Sequence, residues 1–304
     1  MNPGTHTVYV VNASAGTVSV ISGSGVTSTI RVGGTPLCVA VDPETHTVYV
    51  TNVAGIKSGT VSVINGTTVT GSIPVGSNPD GVAVDPETHT VYVTNSGSRT
   101  LSVINGKKVT NTIPVGSSPA RVAVDPWTHT VYVTNYASGT VSVINGTTVT
   151  ATVPVVGRPL GIAVDPGTHT VYVTNNSSGT VSVINGTTMT ATVVGSDAIP
   201  GSYEVAVDPE SHAAYVTNNN GTVSIINRTT VITAVPVGSS PRGVAVDPAA
   251  HLVYIANSGD GTVSMINGNT NPGGKDDGKD GGWMNYRQFK SLGQCLAFVN
   301  HPHQ

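Results

Sequence analysis

Apolar and polar residues alternate in short runs from the N-terminus to about residue 267, and turn-forming residues bound each run. A period of two is the mark of strands buried on one face. One stretch serves for all. Residues 81–84 (GVAV) form a first apolar run, and Asp85-Pro86 then opens a tight turn in which proline's fixed φ suits the second position. Residues 89–95 (HTVYVTN) predict a second strand, and a Ser/Gly loop leads to a third at 100–104 (TLSVI). Asn105-Gly106 is a two-residue hairpin signal, and 108–115 (KVTNTIPV) predict a fourth strand. A GSSP segment then crosses to the next unit.

The unit recurs. VDPETHTVYVTN stands at 41–52 and again at 84–95, and its histidine returns as His6, His46, His89, His129, His169, His212 and His251. The intervals are 40, 43, 40, 40, 43 and 39 residues, and a tyrosine follows each histidine by three positions. Four antiparallel strands per unit of about 40 residues, seven times over and without a helix, predict an all-β fold: a seven-bladed β-propeller. A solenoid is the alternative, but four-stranded meanders favour radial closure, which protects sheet edges.

Tyr-Val-Thr-Asn occurs at 49–52, 92–95, 132–135, 172–175 and 215–218, with variants at 9–12 and 254–257. On these residues the chain resembles the YVTN-repeat β-propellers, including bacterial surface-layer and exported ones. The resemblance implies a fold and no single activity, because such repeats serve surface-layer, adhesion, nucleic-acid-binding and enzymatic proteins alike.

Counting strands exposes a seam. Seven second strands and seven third strands are visible, but only six first and six fourth strands, so the outer strand of blade seven and the inner strand of blade one are unaccounted for. Three segments follow: a propeller at 1–267, a Gly/Asp/Lys linker at 268–282 and a tail at 283–304. KDDGKDGG in the linker lacks the spacing and distal glutamate of a calcium loop. The tail holds both phenylalanines, and Cys295-Leu-Ala-Phe-Val299 echoes the first strand Cys38-Val-Ala-Val41. The tail is therefore expected to dock on a surface or close the ring; it also resembles C-terminal elements of bacterial exported proteins. Upstream sequence is the other way to fill the seam.

Composition narrows function mostly by exclusion. Charged residues are 10% of the chain and the formal charge is −3, which gives no general attraction to nucleic acid or anionic membrane. No apolar run is long enough to span a bilayer, and Met1 leads directly into Asn2-Pro3-Gly4 without an apolar leader. The two cysteines, Cys38 and Cys295, form no CxxC motif, although they could pair if the tail docks beside blade two. The motifs GxSxG, HExxH and GxxxxGK[ST] are absent. N-x-[ST] sequons such as Asn65-Gly-Thr67 are explained by hairpin turns.

A repeated residue carries structure, so function is sought where copies differ. In an up-and-down blade, the second-to-third and fourth-to-first connections share one face, here called the top. Both 43-residue intervals arise there, from insertions at 53–58 and 197–202. The first strand of each unit tends to begin with glycine (Gly81, Gly161, Gly243), yet Cys38, Arg121 and Glu204 break the pattern. Asp80, Tyr203 and Arg242 stand one residue earlier, and Arg158 and Tyr136 lie in nearby top loops. If these residues converge on the channel mouth, Arg121 and Arg242 would grip an anionic group. Glu204 or Asp80 would then be the acid or base. Loop drift and surface charge are the bland explanation.

The histidines invite a metal reading, but one copy per blade spreads them around a ring, so no metal and no cofactor is expected. Two readings stay open. One is a monomeric, non-catalytic, exported or cell-surface scaffold that recognises a protein or glycan through its top face. The other is a lyase or hydrolase acting on a small anionic substrate at the channel mouth. Nucleic-acid binding is a distant third, since residues 1–267 show no basic cluster beyond Lys107-Lys108.

Overall fold

The computed structural model describes residues 6–23, 25–55, 58–194, 201–268, 284–286 and 293–297. They form seven four-stranded antiparallel sheets, and a single 3-10 turn at Ala13–Ala15 is the only helix among the described residues. In blade three the strands are Pro79–Asp85, Thr90–Asn95, Thr100–Asn105 and Lys108–Pro114, stacked in chain order. First strands of successive blades touch one another around a closed ring. Gly293–Ala297 pairs with Thr7–Asn12 as the first strand of blade one, and Met284–Tyr286 pairs with Thr262–Asn267 as the fourth strand of blade seven. These are the two places that the strand count leaves open. Residues 269–282 of the expected linker, both phenylalanines, and parts of the top-face insertions (56–57 and 195–200) lie outside the described residues.

Each letter of Tyr-Val-Thr-Asn has a separate task, because the alternation sends its side chains to two neighbouring blades. Tyr92 packs forward into blade four with Val122, Val131 and Val133, whereas Val93 packs back against Tyr49 and Val61 of blade two. One such apolar cluster fills each of the seven spaces between blades. Each fully buried valine or isoleucine contributes on the order of 1.5–3 kcal/mol. Thr94 accepts from the Gly81 N–H (2.8 Å) and donates to the Ala120 carbonyl of the next blade (2.7 Å). Asn95 donates from Nδ2 to Thr100 Oγ1 and Ser102 Oγ, tying its strand to the next one.

Two turns differ from the sequence expectation. Asn105 pairs with Lys108 in the ladder, so the connecting residues are Gly106 and Lys107 instead of Asn-Gly, with Gly106 at φ 63°. His89 stands outside the strand that begins at Thr90, because it adopts the left-handed region at φ 55°. The same holds for all seven repeat histidines, from His6 at φ 49° to His46 and His212 at φ 58°.

Candidate functional site

The repeat-breaking residues fall on a β-bulge. Pro79 pairs with Asn95 and Val82 with Val93, which leaves one extra residue in the first strand around Asp80-Gly81. The bulge recurs in blades two to seven, always next to the channel mouth. Bulges bend a strand and re-aim side chains. Here they also bring adjacent blades into backbone contact. A Cβ on Gly81 would stand 2.9 Å from the Arg121 Cα, and one on Gly161 would stand 2.7 Å from the Glu204 Cα. Around the mouth, side chains and glycines therefore alternate: Cys38, Gly81, Arg121, Gly161, Glu204, Gly243.

Arg121 bridges three blades. Its Nη1 contacts Asp80 Oδ1 of blade three and its Nε contacts Glu204 Oε1 of blade six, each at 2.5 Å. Blade five, between Arg121 and Glu204, contributes only Gly161 at the corresponding position, so no side chain stands there. The three charged side chains are largely shielded, with exposures of 15% for Arg121, 26% for Asp80 and 12% for Glu204. Burial opposes the Arg121 charge, but the two carboxylates outweigh it and raise the guanidinium pKa. Burial likewise pushes the Glu204 carboxyl up, while Arg121 pulls it down. Two carboxylates exceed one guanidinium, so the triad has no positive charge to spare. An anion approaching Arg121 would meet two carboxylates already bound to its Nε and Nη1.

The remaining candidates form two separate pairs. The Arg242 guanidinium lies 4.4 Å from the Tyr203 ring centroid, and that of Arg158 lies 5.5 Å from Tyr136. Cys38 is buried and disulfide-bonded, so it offers no thiol to a ligand. Below the mouth the channel encloses about 220 Å³, walled by valines, alanines and Ile162 of the first strands and ending at Pro86, Pro126 and Pro166. Among the described residues, Arg121 and Glu204 are the only charged ones that line it.

On the opposite face five of the seven repeat histidines are structural clasps. His129 Nδ1 meets Asp85 Oδ2 of the preceding blade at 2.8 Å, and His89, His169 and His212 repeat the contact with Asp42, Asp125 and Asp165. His6 reaches Asp247 at 2.9 Å, which joins blade one to blade seven. Among the described residues no three His, Cys, Asp or Glu side chains are grouped to hold a metal ion.

Sequence reasoning missed the bulge, the Asp–His pairing and the role of the YVTN threonine. It also passed over Arg31 and Arg99, which lie on the top face without breaking any apolar pattern. Sorting charges by face would have found those two.

No family model matches this chain, and no curated protein does. Many solved structures share its fold. One is hydrazine synthase from Kuenenia stuttgartiensis: TM-score 0.78, 20% identity, covering 88% of this chain and 94% of that one. Another is a candidate 6-phosphogluconolactonase from Bacteroides uniformis: TM-score 0.75, 14% identity, 96% and 99% covered. A third, from Desulfotomaculum acetoxidans, has no known function: TM-score 0.76, 14% identity, 96% and 98% covered. At such identities the likeness is one of fold alone.

Proposed function

We propose that this seven-bladed propeller is a non-catalytic scaffold that recognises a protein or glycan through its top face, akin to exported YVTN-type propellers. One observation carries the reading. At the channel mouth Asp80, Arg121 and Glu204 satisfy one another in a triad while Arg242 stacks on Tyr203, and the wall beneath them is aliphatic. A working acid or base must reach a substrate proton, whereas Asp80 and Glu204 are both spent on Arg121. The disulfide at Cys38 supports an oxidising compartment, as export would provide.

The second reading, a lyase or hydrolase at the mouth, draws on the raised pKa of Glu204 beside a guanidinium. A turnover screen separates the two. The purified protein and its Glu204→Gln variant are offered lactones, glycosides and small carboxylate and phosphate esters. The scaffold reading expects no turnover by either protein. Turnover that disappears in the variant would replace it with the enzymatic reading.

A further inference from the structure

Charge is segregated between the two faces of the disc. Among the described residues the top holds Arg31, Arg99, Arg121, Arg158 and Arg242 against Asp80, Glu204 and Asp260, a net of +2. The bottom holds nine carboxylates against Lys107, Lys108 and Arg228, a net of −6 with histidines neutral; the nine are the aspartates of six Asp-Pro turns with Glu44, Glu87 and Glu210. A chain with a formal charge of −3 therefore presents a positive face.

The acids of the top face are already occupied: Asp80 and Glu204 by Arg121, and Asp260 by the Ser239 N–H at 2.6 Å. Arg31, Arg99, Arg158 and Arg242 have no carboxylate partner among the described residues. They stand on four different sectors: the rim of blade one, a loop of blade three, the entry to blade five and the mouth of blade seven. Charges so dispersed cannot converge on one small anion, but they suit a polymer that carries repeated anionic groups. Stacking of Arg158 and Arg242 on tyrosines restrains each guanidinium before a ligand arrives, which lowers the ordering cost of binding.

Surroundings choose between polymers. A protein interface is organised around buried aromatic and aliphatic anchors. The top connections are instead rich in serine, asparagine and glycine, with Ser77, Ser98, Ser138 and Ser177 on their turns; the large exposed aliphatics there are Val156 and, at a strand end, Val194, while Tyr136 and Tyr203 are already stacked with arginines. Hydroxyls and amides around isolated cations fit sugar hydroxyls around isolated anionic groups.

Resting on the scaffold reading, we infer that the top face binds an acidic polysaccharide, whose carboxylate or sulfate groups seat on Arg158 and Arg242 with Arg99 and Arg31 extending the track. The test uses the full chain immobilised with its disulfide intact. Probes are alginate, dextran sulfate, neutral dextran, poly-glutamate and a DNA duplex. Alginate or dextran sulfate is expected to bind and dextran not to, the better of the two naming the anionic group. Affinity is expected to fall at least about tenfold as NaCl rises from about 50 to about 300 mM. The double variant Arg158→Gln, Arg242→Gln is expected to lose at least about tenfold in affinity with an unchanged melting point, and the Arg→Lys pair to recover part of it. Undiminished binding by the double variant, or poly-glutamate or DNA bound as well as the acidic glycans, overturns the inference. Binding of none of the probes overturns it too, and leaves the scaffold reading standing if the turnover screen is negative. Turnover removes the scaffold reading whichever polymer binds.

Discussion

A methyl group added to Gly161 would sit 2.5 Å from the Tyr203 carbonyl oxygen, a contact that only backbone movement between blades five and six could relieve. Gly161→Ala is therefore expected to lose about 1–3 kcal/mol, the usual range for overpacking. Gly25→Ala, which would meet nothing within 4 Å, is expected to change stability by less than about 0.5 kcal/mol. Equal melting points for the two variants would contradict the backbone contact. The preference for glycine at this position was readable in the repeat. Its cause was not, because the clashing atoms belong to the next blade.

At the scale of the element, the Asp-Pro-x-x-His turn is a clasp in two parts. Asp85 is fully buried, and it accepts from the Glu87 N–H and from His129 of the following blade. Asp85→Ala leaves these donors unsatisfied and is expected to cost about 1–3 kcal/mol. His129→Asn separates backbone from side chain, since asparagine tolerates the left-handed conformation and cannot span to Asp85. A loss in urea unfolding for His129→Asn smaller than about half that of Asp85→Ala would place most of the cost in the turn. Similar losses would place it in the bond between blades. The histidine period was plain in the sequence, but its partner lies 44 residues back, and no local pattern joins them.

For the whole molecule, closure and pH are the two levers. The ring is completed by backbone pairing of Gly293–Ala297 with Thr7–Asn12, by the His6–Asp247 clasp and by a disulfide at Cys38. Removing the disulfide, by reduction or by Cys38→Ser, is expected to lower stability by roughly 2–5 kcal/mol. Unchanged unfolding under reducing conditions would show that pairing alone holds the ring.

Alkaline pH probes the spaces between blades. Burial raises the phenol pKa of Tyr9, Tyr49, Tyr92, Tyr132, Tyr172 and Tyr215, and that of Tyr215 is pushed up to about 12. A group whose pKa is higher in the folded state stabilises fully below its unfolded value, near 10 for tyrosine, and loses that contribution as pH rises through the folded value. Melting points are thus expected to hold from neutral pH to about 10 and to fall between about 10 and 12. Phenolate absorbance should rise together with unfolding. Normal titration of all the tyrosines in a still-folded protein would contradict their burial.

The sequence by itself determined how many blades there are, which residues make all but the two seam strands to within a residue or so, and where the copies differ, because a repeated alternation is a local property of the chain. Arg121, Glu204 and Asp80 were visible as departures from the repeat. Their union in one triad was decided only by the tertiary structure, across separations of 83 and 41 residues. The physical reason is the bulge at the head of each first strand combined with ring closure. One re-aims a side chain toward the mouth, the other brings distant blades around it, and neither leaves a mark in the spacing of residues.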